Sequence, residues 1–245
     1  MALTTIGLMA LLGCFTGFMA GLLGIGGGMI ITPFLIMLIP SSLIPHEHIV
    51  HVAIATSLAT IAFTSLSSVR AHHKRGAVLW NVVASVAPGI LVGAVVGAQI
   101  AGWLPTFWLS LIFAAFVGFS AFKMFLNKSP RPDRNLPGTI GKFFMGIAIG
   151  ILSALVGAGG GFISVPWMIW CNVKMQNAVA TSAAFGFPIA LFGTIGYIIS
   201  GWNVSGLPPW PIDLGYICIP ALFSVAITSV LFAPLGAKVA HSIDT

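Results

Sequence analysis

Long apolar runs separated by short polar stretches dominate this chain. Runs of about 17–25 residues, the length that crosses a lipid bilayer as a helix, occupy residues 3–23, 49–69, 78–102, 105–126, 140–156, 177–200 and 214–235. Two shorter apolar runs lie at residues 28–39 and 161–171. The pattern predicts an all-α protein with about nine transmembrane segments.

The composition agrees with that pattern and excludes a soluble globular domain. Of the 245 residues, 58% are hydrophobic and only 6% are charged, and the mean hydropathy is +1.07. Soluble domains carry about 25% charged residues, so this chain has too few charges to cover a water-facing surface. The first apolar run has no basic residue before it and continues past any small-residue cleavage site. It is therefore predicted to be a membrane helix rather than a signal peptide.

The charges predict how the helices are oriented. Ten residues are basic and four are acidic, and the basic residues lie at the ends of apolar runs, as in the positive-inside pattern. This distribution argues against nucleic-acid binding, which needs a basic polar face. The basic loops 70–76 and 127–139 are predicted inside, which places the N-terminus outside and the C-terminus inside the cell.

The chain contains an internal repeat. Residues 24–33 (GIGGGMIITP) and 157–166 (GAGGGFISVP) are identical at six of ten positions. Residues 51–59 (HVAIATSLA) and 176–184 (QNAVATSAA) are identical at five of nine. A third, shorter match pairs Gly97-Ala98 with Gly236-Ala237. The repeat predicts three parts, which are a first transmembrane repeat (1–104), a linking helix with a basic cytoplasmic loop (105–139) and a second transmembrane repeat (140–245).

Equivalent loops of the two repeats carry opposite charge bias. Loop 70–76 contains Arg70, Lys74 and Arg75, whereas its counterpart 201–213 contains no Lys or Arg. Two copies inserted in opposite orientations would show this difference. We therefore expect inverted repeats with broken or short helices at the Gly-Gly-Gly turns.

The glycine turns are the first candidate for chemistry. Consecutive glycines let the backbone turn and approach a ligand closely, and the helix that follows presents free N–H groups and a positive dipole end. Tight helix packing by small residues is the structural alternative. The candidate substrate-binding positions are Gly26, Gly27 and Gly28 in the first repeat and Gly159, Gly160 and Gly161 in the second.

The repeated Ala-Thr-Ser block is the second candidate. Thr56, Ser57, Thr181 and Ser182 place hydroxyl groups within spanning helices. Hydroxyls can donate to oxyanions without the cost of burying a charge, although they can also bond back to the carbonyl four residues earlier.

The segment His46–His51 is the third candidate. It resembles a zinc-protease motif, but Val50 stands where the second histidine would be needed. His51 and Glu47 are candidates for proton coupling, and a cluster of these histidines could instead serve a metal-cation transporter. No motif predicts a cofactor, a bound metal or an enzyme active site.

The repeated G-x-G-G-G-x-x-x-x-P and A-T-S blocks resemble the TauE/SafE family of membrane transporters. The resemblance extends from about Ala10 to Ala240 and implies export of sulfite, sulfoacetate or related anions across the cytoplasmic membrane. The sequence thus predicts a secondary transporter that works by alternating access. Its expected partners are a small anionic substrate and membrane lipid, and a homo-oligomer is compatible with the chain. A non-transporting membrane scaffold subunit is the alternative from another class.

Overall fold

Nine helices and one short hairpin form the regular structure of the described residues. The computed structural model describes residues 3–24, 27–40, 43–125, 135–208, 212–240 and 242. The helices are α1 (Leu3–Leu23), α2 (Gly28–Leu38), α3 (Ile49–His73), α4 (Trp80–Trp103), α5 (Thr106–Phe125), α6 (Thr139–Val156), α7 (Gly161–Trp170), α8 (Met175–Gly201) and α9 (Ile219–Ala240). Strands β1 (Asp213–Leu214) and β2 (Ile217–Cys218) pair antiparallel before α9.

The predicted all-α architecture is confirmed and is consistent with a multi-pass membrane protein, whereas the count of about nine transmembrane segments stays a prediction. Six of these helices, α1, α3, α4, α6, α8 and α9, are long and apolar enough to cross a membrane. The three other apolar helical segments are shorter: Gly28–Leu38, Thr106–Phe122 and Gly161–Trp170. The short α2 and α7 begin at the glycine turns, where broken or short helices were expected.

The outer surface is apolar, as a lipid-facing surface must be. Large side chains such as Trp103, Met37, Ile140 and Phe107 are mostly exposed. Helix α3 is the most buried of the six spans and packs against α2, α8 and α9 at the centre of the bundle. Water could not solvate such a surface, whereas lipid chains can.

Small residues let the outer helices approach closely. Gly13, Gly17 and Gly21 of α1 lie against α9, where a Cβ on Gly17 would lie 2.6 Å from the Cα of Ser229. Gly93 and Gly97 of α4 lie in the same way against the backbone of α6. Close backbone approach through small residues is the usual way in which membrane helices gain packing energy.

The outer helices of each repeat pack on helices of the other repeat. Helix α1 of the first repeat packs on α9 of the second, and α6 of the second repeat packs on α4 of the first. The third sequence match shows the same arrangement in detail, since Gly97 lies against Ile151 and Gly236 against Phe18. The most extensive helix packing therefore lies between the two repeats.

The central helices α3 and α8 run in opposite directions where they cross. Leu58 of α3 lies against Gly193, and Ser65, further along α3, lies against the earlier Gly186 of α8. Helices α3 and α9 run in the same direction, because Thr56 contacts Cys218 and Thr64 contacts Ser229.

Because of these helix directions, the basic and the acidic side chains of the described residues lie at opposite ends of the bundle. The ends of α3 and α9 and the starts of α4, α6 and α8 lie at one end of the bundle, which we call the basic end. It carries Arg70, Lys74, Arg75, Lys142, Lys174 and Lys238. The opposite end carries the two described acidic residues, Glu47 and Asp213. Much of the predicted basic linker, residues 126–134, lies outside the described residues.

Candidate functional site

The two glycine turns have matching backbone conformations. The φ angles of Gly24 and Gly27 are 66° and 73°, and those of their counterparts Gly157 and Gly160 are 68° and 80°. Residues with a Cβ rarely adopt this left-handed region, which explains why glycine stands at all four positions. Gly26, the first predicted contact of the first turn, lies outside the described residues.

The fold brings the two turns together inside the bundle. A Cβ added to Gly28 would collide with the carbonyl oxygen of Gly157 and would lie 2.5 Å from the Cδ1 of Ile61. The first helical residue of α2 therefore touches the turn of the other repeat. Two segments more than a hundred residues apart in sequence form one central feature, which we call the paired turns (residues 24, 27–28 and 157–161).

The predicted serines tie the paired turns to each other. Ser57 donates to the carbonyl of Gly157 at 3.1 Å and approaches that of Gly28 at 3.3 Å. Its counterpart Ser182 donates to the carbonyl of Gly24 at 3.0 Å and accepts a hydrogen bond from Ser164 at 2.8 Å. Each repeat thus supplies a hydroxyl to the turn of the other repeat.

The predicted threonines form a second reciprocal pair. The hydroxyl of Thr56 accepts from the N–H of Cys218, and that of Thr181 accepts from the N–H of Leu79, each at 3.0 Å. Cys218 and Leu79 precede α9 and α4, the equivalent last helices of the two repeats. In this conformation the four predicted hydroxyls are fully buried and already hold backbone groups.

Unused hydrogen-bond donors surround the second glycine turn. The N–H groups of Gly160, Gly161 and Phe162, at the start of α7, donate to no acceptor in the described part of the chain. The hydroxyls of Thr32 and Ser153 are buried and also lack a partner there.

These two hydroxyls are close to the second turn. A Cβ built on Gly157 would lie 3.0 Å from the Oγ1 of Thr32, and one built on Gly160 would lie 3.4 Å from the Oγ of Ser153. The first turn has no such hydroxyls, because the residues equivalent to Thr32 and Ser153 are Val165 and Ala20. Sequence reasoning missed both residues since neither is repeated.

A narrow crevice lies beside the first turn. It is too narrow to admit a water molecule. It is lined by Ala20, Gly24, Ser65, Ser68, Ala183 and Gly186. Ser68 has a buried hydroxyl without a hydrogen-bond partner among the described residues, so the crevice has a polar wall between α1, α3 and α8.

His51, a predicted proton-coupling residue, points into the protein. Its Nε2 lies 3.0 Å from the carbonyl oxygens of both Ala101 and Leu104, so this nitrogen must carry a proton and donate. Its ring stacks on Tyr216 with centroids 5.1 Å apart. Glu47, in contrast, is exposed, and its backbone carbonyl accepts from the hydroxyl of Thr106.

Asp213, the last residue of the predicted polar loop 201–213, is a buried acid. It is 4% exposed, and neither carboxyl oxygen has a hydrogen-bond partner in the described structure. Burial raises the pKa of this carboxyl from 3.8 to about 7, although interaction with the neighbouring Cys218 thiol partly opposes the rise. Asp213 begins the hairpin whose turn carries Tyr216, and the ring of Tyr216 stacks on His51, so both titratable residues lie at the end opposite the basic end.

The histidine cluster does not form a metal centre within the described residues. No group of three or more His, Cys, Asp or Glu side chains there could hold a metal ion. The proton on the Nε2 of His51 also prevents that nitrogen from serving as a ligand.

Six helices long enough to cross a membrane, together with two short helices that begin at interior glycine turns, are typical of polytopic membrane transporters. Sequence comparison then identifies the family of this protein. The chain belongs to the Sulfite exporter TauE/SafE family, whose profile matches residues 9–245. The protein is thus a multi-pass member of a family of membrane transporters.

Relatives in bacteria and archaea carry compatible names. A "Probable membrane transporter protein" of Haemophilus influenzae is 34% identical, and the match covers 96% of this chain and 89% of the relative. A relative of the same description in Methanocaldococcus jannaschii is 27% identical over 97% of this chain and 87% of its own length. No solved structure matches the chain significantly.

Proposed function

We propose that this protein is a secondary transporter that exports small sulfur-containing anions, such as sulfite, sulfoacetate or related organosulfonates, across the cytoplasmic membrane. The description of its family as sulfite exporters supports the substrate class. The basic end would face the cytoplasm under the positive-inside rule. The N-terminus would then lie outside and the C-terminus inside.

The proposal rests on one observation. N–H and hydroxyl groups that have no acceptor among the described residues lie together at the turn before α7. A sulfite or sulfonate group presents three oxygens and needs several donors. Backbone N–H groups at a helix start supply such donors together with the positive dipole end. The hydroxyls of Thr32 and Ser153 would complete the site, and the predicted positions Gly159, Gly160 and Gly161 would form its backbone.

The absence of charge from this described site suits transport. Neutral donors bind an anion less tightly than an Arg or Lys side chain would, so the anion can leave on the far side. Ser57 and Ser182 would act by holding the two turns in register, and Gly27 and Gly28 would form the facing turn.

An inverted relationship of the repeats would supply alternating access. The antiparallel crossing of the equivalent helices α3 and α8, described above, supports inversion, as does the reciprocal bonding of Ser57 and Ser182. Two equivalent arrangements of such repeats are related by rocking one against the other. The narrow crevice at Ser68 would widen toward the basic end in one of them.

Proton coupling is the energy source that we propose. Burial raises the pKa of the Asp213 carboxyl to about 7, and Asp213 lies at the same end of the bundle as His51. We propose that Asp213 carries the coupling proton, with His51 at the same end of the bundle as the second candidate and the exposed Glu47 in a lesser role.

The test is sulfite efflux from liposomes that contain the purified protein. Wild type should transport sulfite, and Thr32→Val with Ser153→Ala should reduce the flux roughly tenfold or more, since two charge-assisted hydrogen bonds are lost. The control is Ser85→Ala, whose hydroxyl bonds only within its own helix. Full flux in the double variant would refute the site, and absence of flux of any sulfur anion in wild type would favour the scaffold alternative.

A further inference from the structure

A wide groove at the basic end is separate from the proposed transport site. It lies between α3 and α9 and has a volume of about 930 Å³. Four cationic side chains, Arg70, Lys74, Arg75 and Lys238, line its mouth. None of the transport or coupling residues discussed above contributes to it.

The lining of the groove is apolar in its inner part and cationic at its mouth. Phe63 and Leu66 line its inner part and are half-exposed. Lys74 stands eleven residues beyond Phe63, about 16 Å further along the helix at 1.5 Å per residue. Since α3 and α9 run in the same direction, the apolar Leu235 and the cationic Lys238 of α9 repeat this order on the opposite wall.

The cations are not neutralised within the described structure. The two described acids, Glu47 and Asp213, lie at the opposite end of the spans. Arg75 donates to the carbonyl of Ala237 at 2.7 Å, which ties the end of α3 to the end of α9 and fixes the groove's rim. Arg70, Lys74 and Lys238 are exposed and remain available to an anion.

We infer that this groove binds an anionic glycerophospholipid, with the phosphate held by Arg70, Lys74 and Lys238 and an acyl chain lying along Phe63 and Leu66. The charge complementarity and the apolar inner walls together select a lipid over a soluble anion. A free phosphate would use only the mouth, and a soluble protein partner could not reach the inner walls. Basic pockets between spanning helices are established recognition sites for acidic headgroups.

Native mass spectrometry of the full chain in neutral detergent tests this inference. Phosphatidylglycerol should bind to wild type at about one molecule per chain, and phosphatidylcholine should bind far less, since each cation near an acidic headgroup contributes about fivefold in affinity. The variant Lys74→Gln with Lys238→Gln should therefore lose roughly tenfold or more of the bound phosphatidylglycerol.

A matched control removes two lysines from the same end of the bundle but outside the groove. Lys142→Gln with Lys174→Gln should retain phosphatidylglycerol binding, and Lys74→Arg with Lys238→Arg should retain it by keeping the charge. Should the neutral groove variant fail to fold, the Arg variant and the lipid selectivity of wild type still decide the question.

Three results would overturn the inference. Equal loss in the groove and control variants would show a general effect of surface charge. Displacement of the lipid by an equal concentration of inorganic phosphate would show a free-anion site. Absence of phosphatidylglycerol binding in wild type would leave the groove without the proposed occupant.

Discussion

The hydroxyl of Ser57 donates to the carbonyl of Gly157 at 3.1 Å, a contact between residues 100 positions apart. The counterpart contact, from Ser182 to Gly24, spans 158 positions at 3.0 Å. Each serine follows the threonine of a repeated Ala-Thr-Ser block, and each glycine ends the first helix of the opposite repeat. The two hydrogen bonds therefore join the repeats at their centre.

Loss of either serine hydroxyl should destabilise the paired turns. Ser57→Ala and Ser182→Ala each leave a buried carbonyl without its donor, which costs about 1–3 kcal/mol. For a chain of this size we expect the thermal midpoint in detergent to fall by roughly 2–10 °C. Ser85→Ala is the control, and an unchanged midpoint in both test variants would show that these bonds carry no stability.

Gly28→Ala should prevent normal folding. The added methyl group would overlap the carbonyl oxygen of Gly157, and neither backbone can move without separating the paired turns. We expect destabilisation of more than about 4 kcal/mol, the range of severe core defects. Yield of monodisperse protein after detergent extraction measures the effect.

Gly118→Ala is the matched control for that glycine. A Cβ at Gly118 in α5 would meet no atom within 4 Å, and alanine is a better helix former by about 1 kcal/mol. This variant should equal or exceed wild type in stability. Normal folding of Gly28→Ala would contradict the close contact between the turns.

Asp213 should make stability depend on pH. Its folded pKa of about 7 lies above the usual value of 3.8, so the folded state holds a proton that the unfolded chain releases between these values. The contribution of this proton to the free energy of unfolding is therefore complete below about pH 4. It declines as pH rises and is lost above about pH 7. Asp213→Asn should show a flatter curve of thermal midpoint against pH than wild type, whereas Glu47→Gln at an exposed position should follow wild type.

His51→Gln should separate the roles of His51 and Asp213 in coupling. Glutamine stands at the equivalent position of the second repeat, Gln176, and its amide can still donate to the carbonyls of Ala101 and Leu104. If Asp213 carries the coupling proton, sulfite flux in His51→Gln should keep its response to an imposed pH gradient. In Asp213→Asn that response should disappear.

A reversed result would reassign the coupling proton. Loss of the pH response in His51→Gln with retention in Asp213→Asn would make the histidine the carrier. Thermal midpoints of both variants, measured at one pH, check that altered folding does not produce the difference.

The amino-acid sequence by itself determined the membrane class, the approximate positions of the helices and the repeat. The run predicted at 214–235 is shifted, because its first residues form the β1–β2 hairpin and α9 begins only at Ile219. A backbone that crosses lipid must satisfy its hydrogen bonds within its own helix. Each spanning helix therefore appears in the sequence as an apolar run of about its own length. Glycines at fixed spacing likewise marked the turns before α2 and α7, because the left-handed backbone conformation there selects glycine.

Only the tertiary structure decided which polar groups have hydrogen-bond partners and which are buried without one among the described residues. The sequence predicted Ser57 and Ser182 as substrate ligands, a role that stays a prediction, but in the fold their hydroxyls are engaged with Gly157 and Gly24. Neither Thr32 nor Ser153 has a hydroxyl counterpart in the other repeat, yet packing leaves their hydroxyls without a partner among the described residues at the second turn. Asp213 is buried although it lies in a polar loop. Hydrogen-bond partnership and burial depend on helices that meet across more than a hundred residues, and local sequence does not encode those distances.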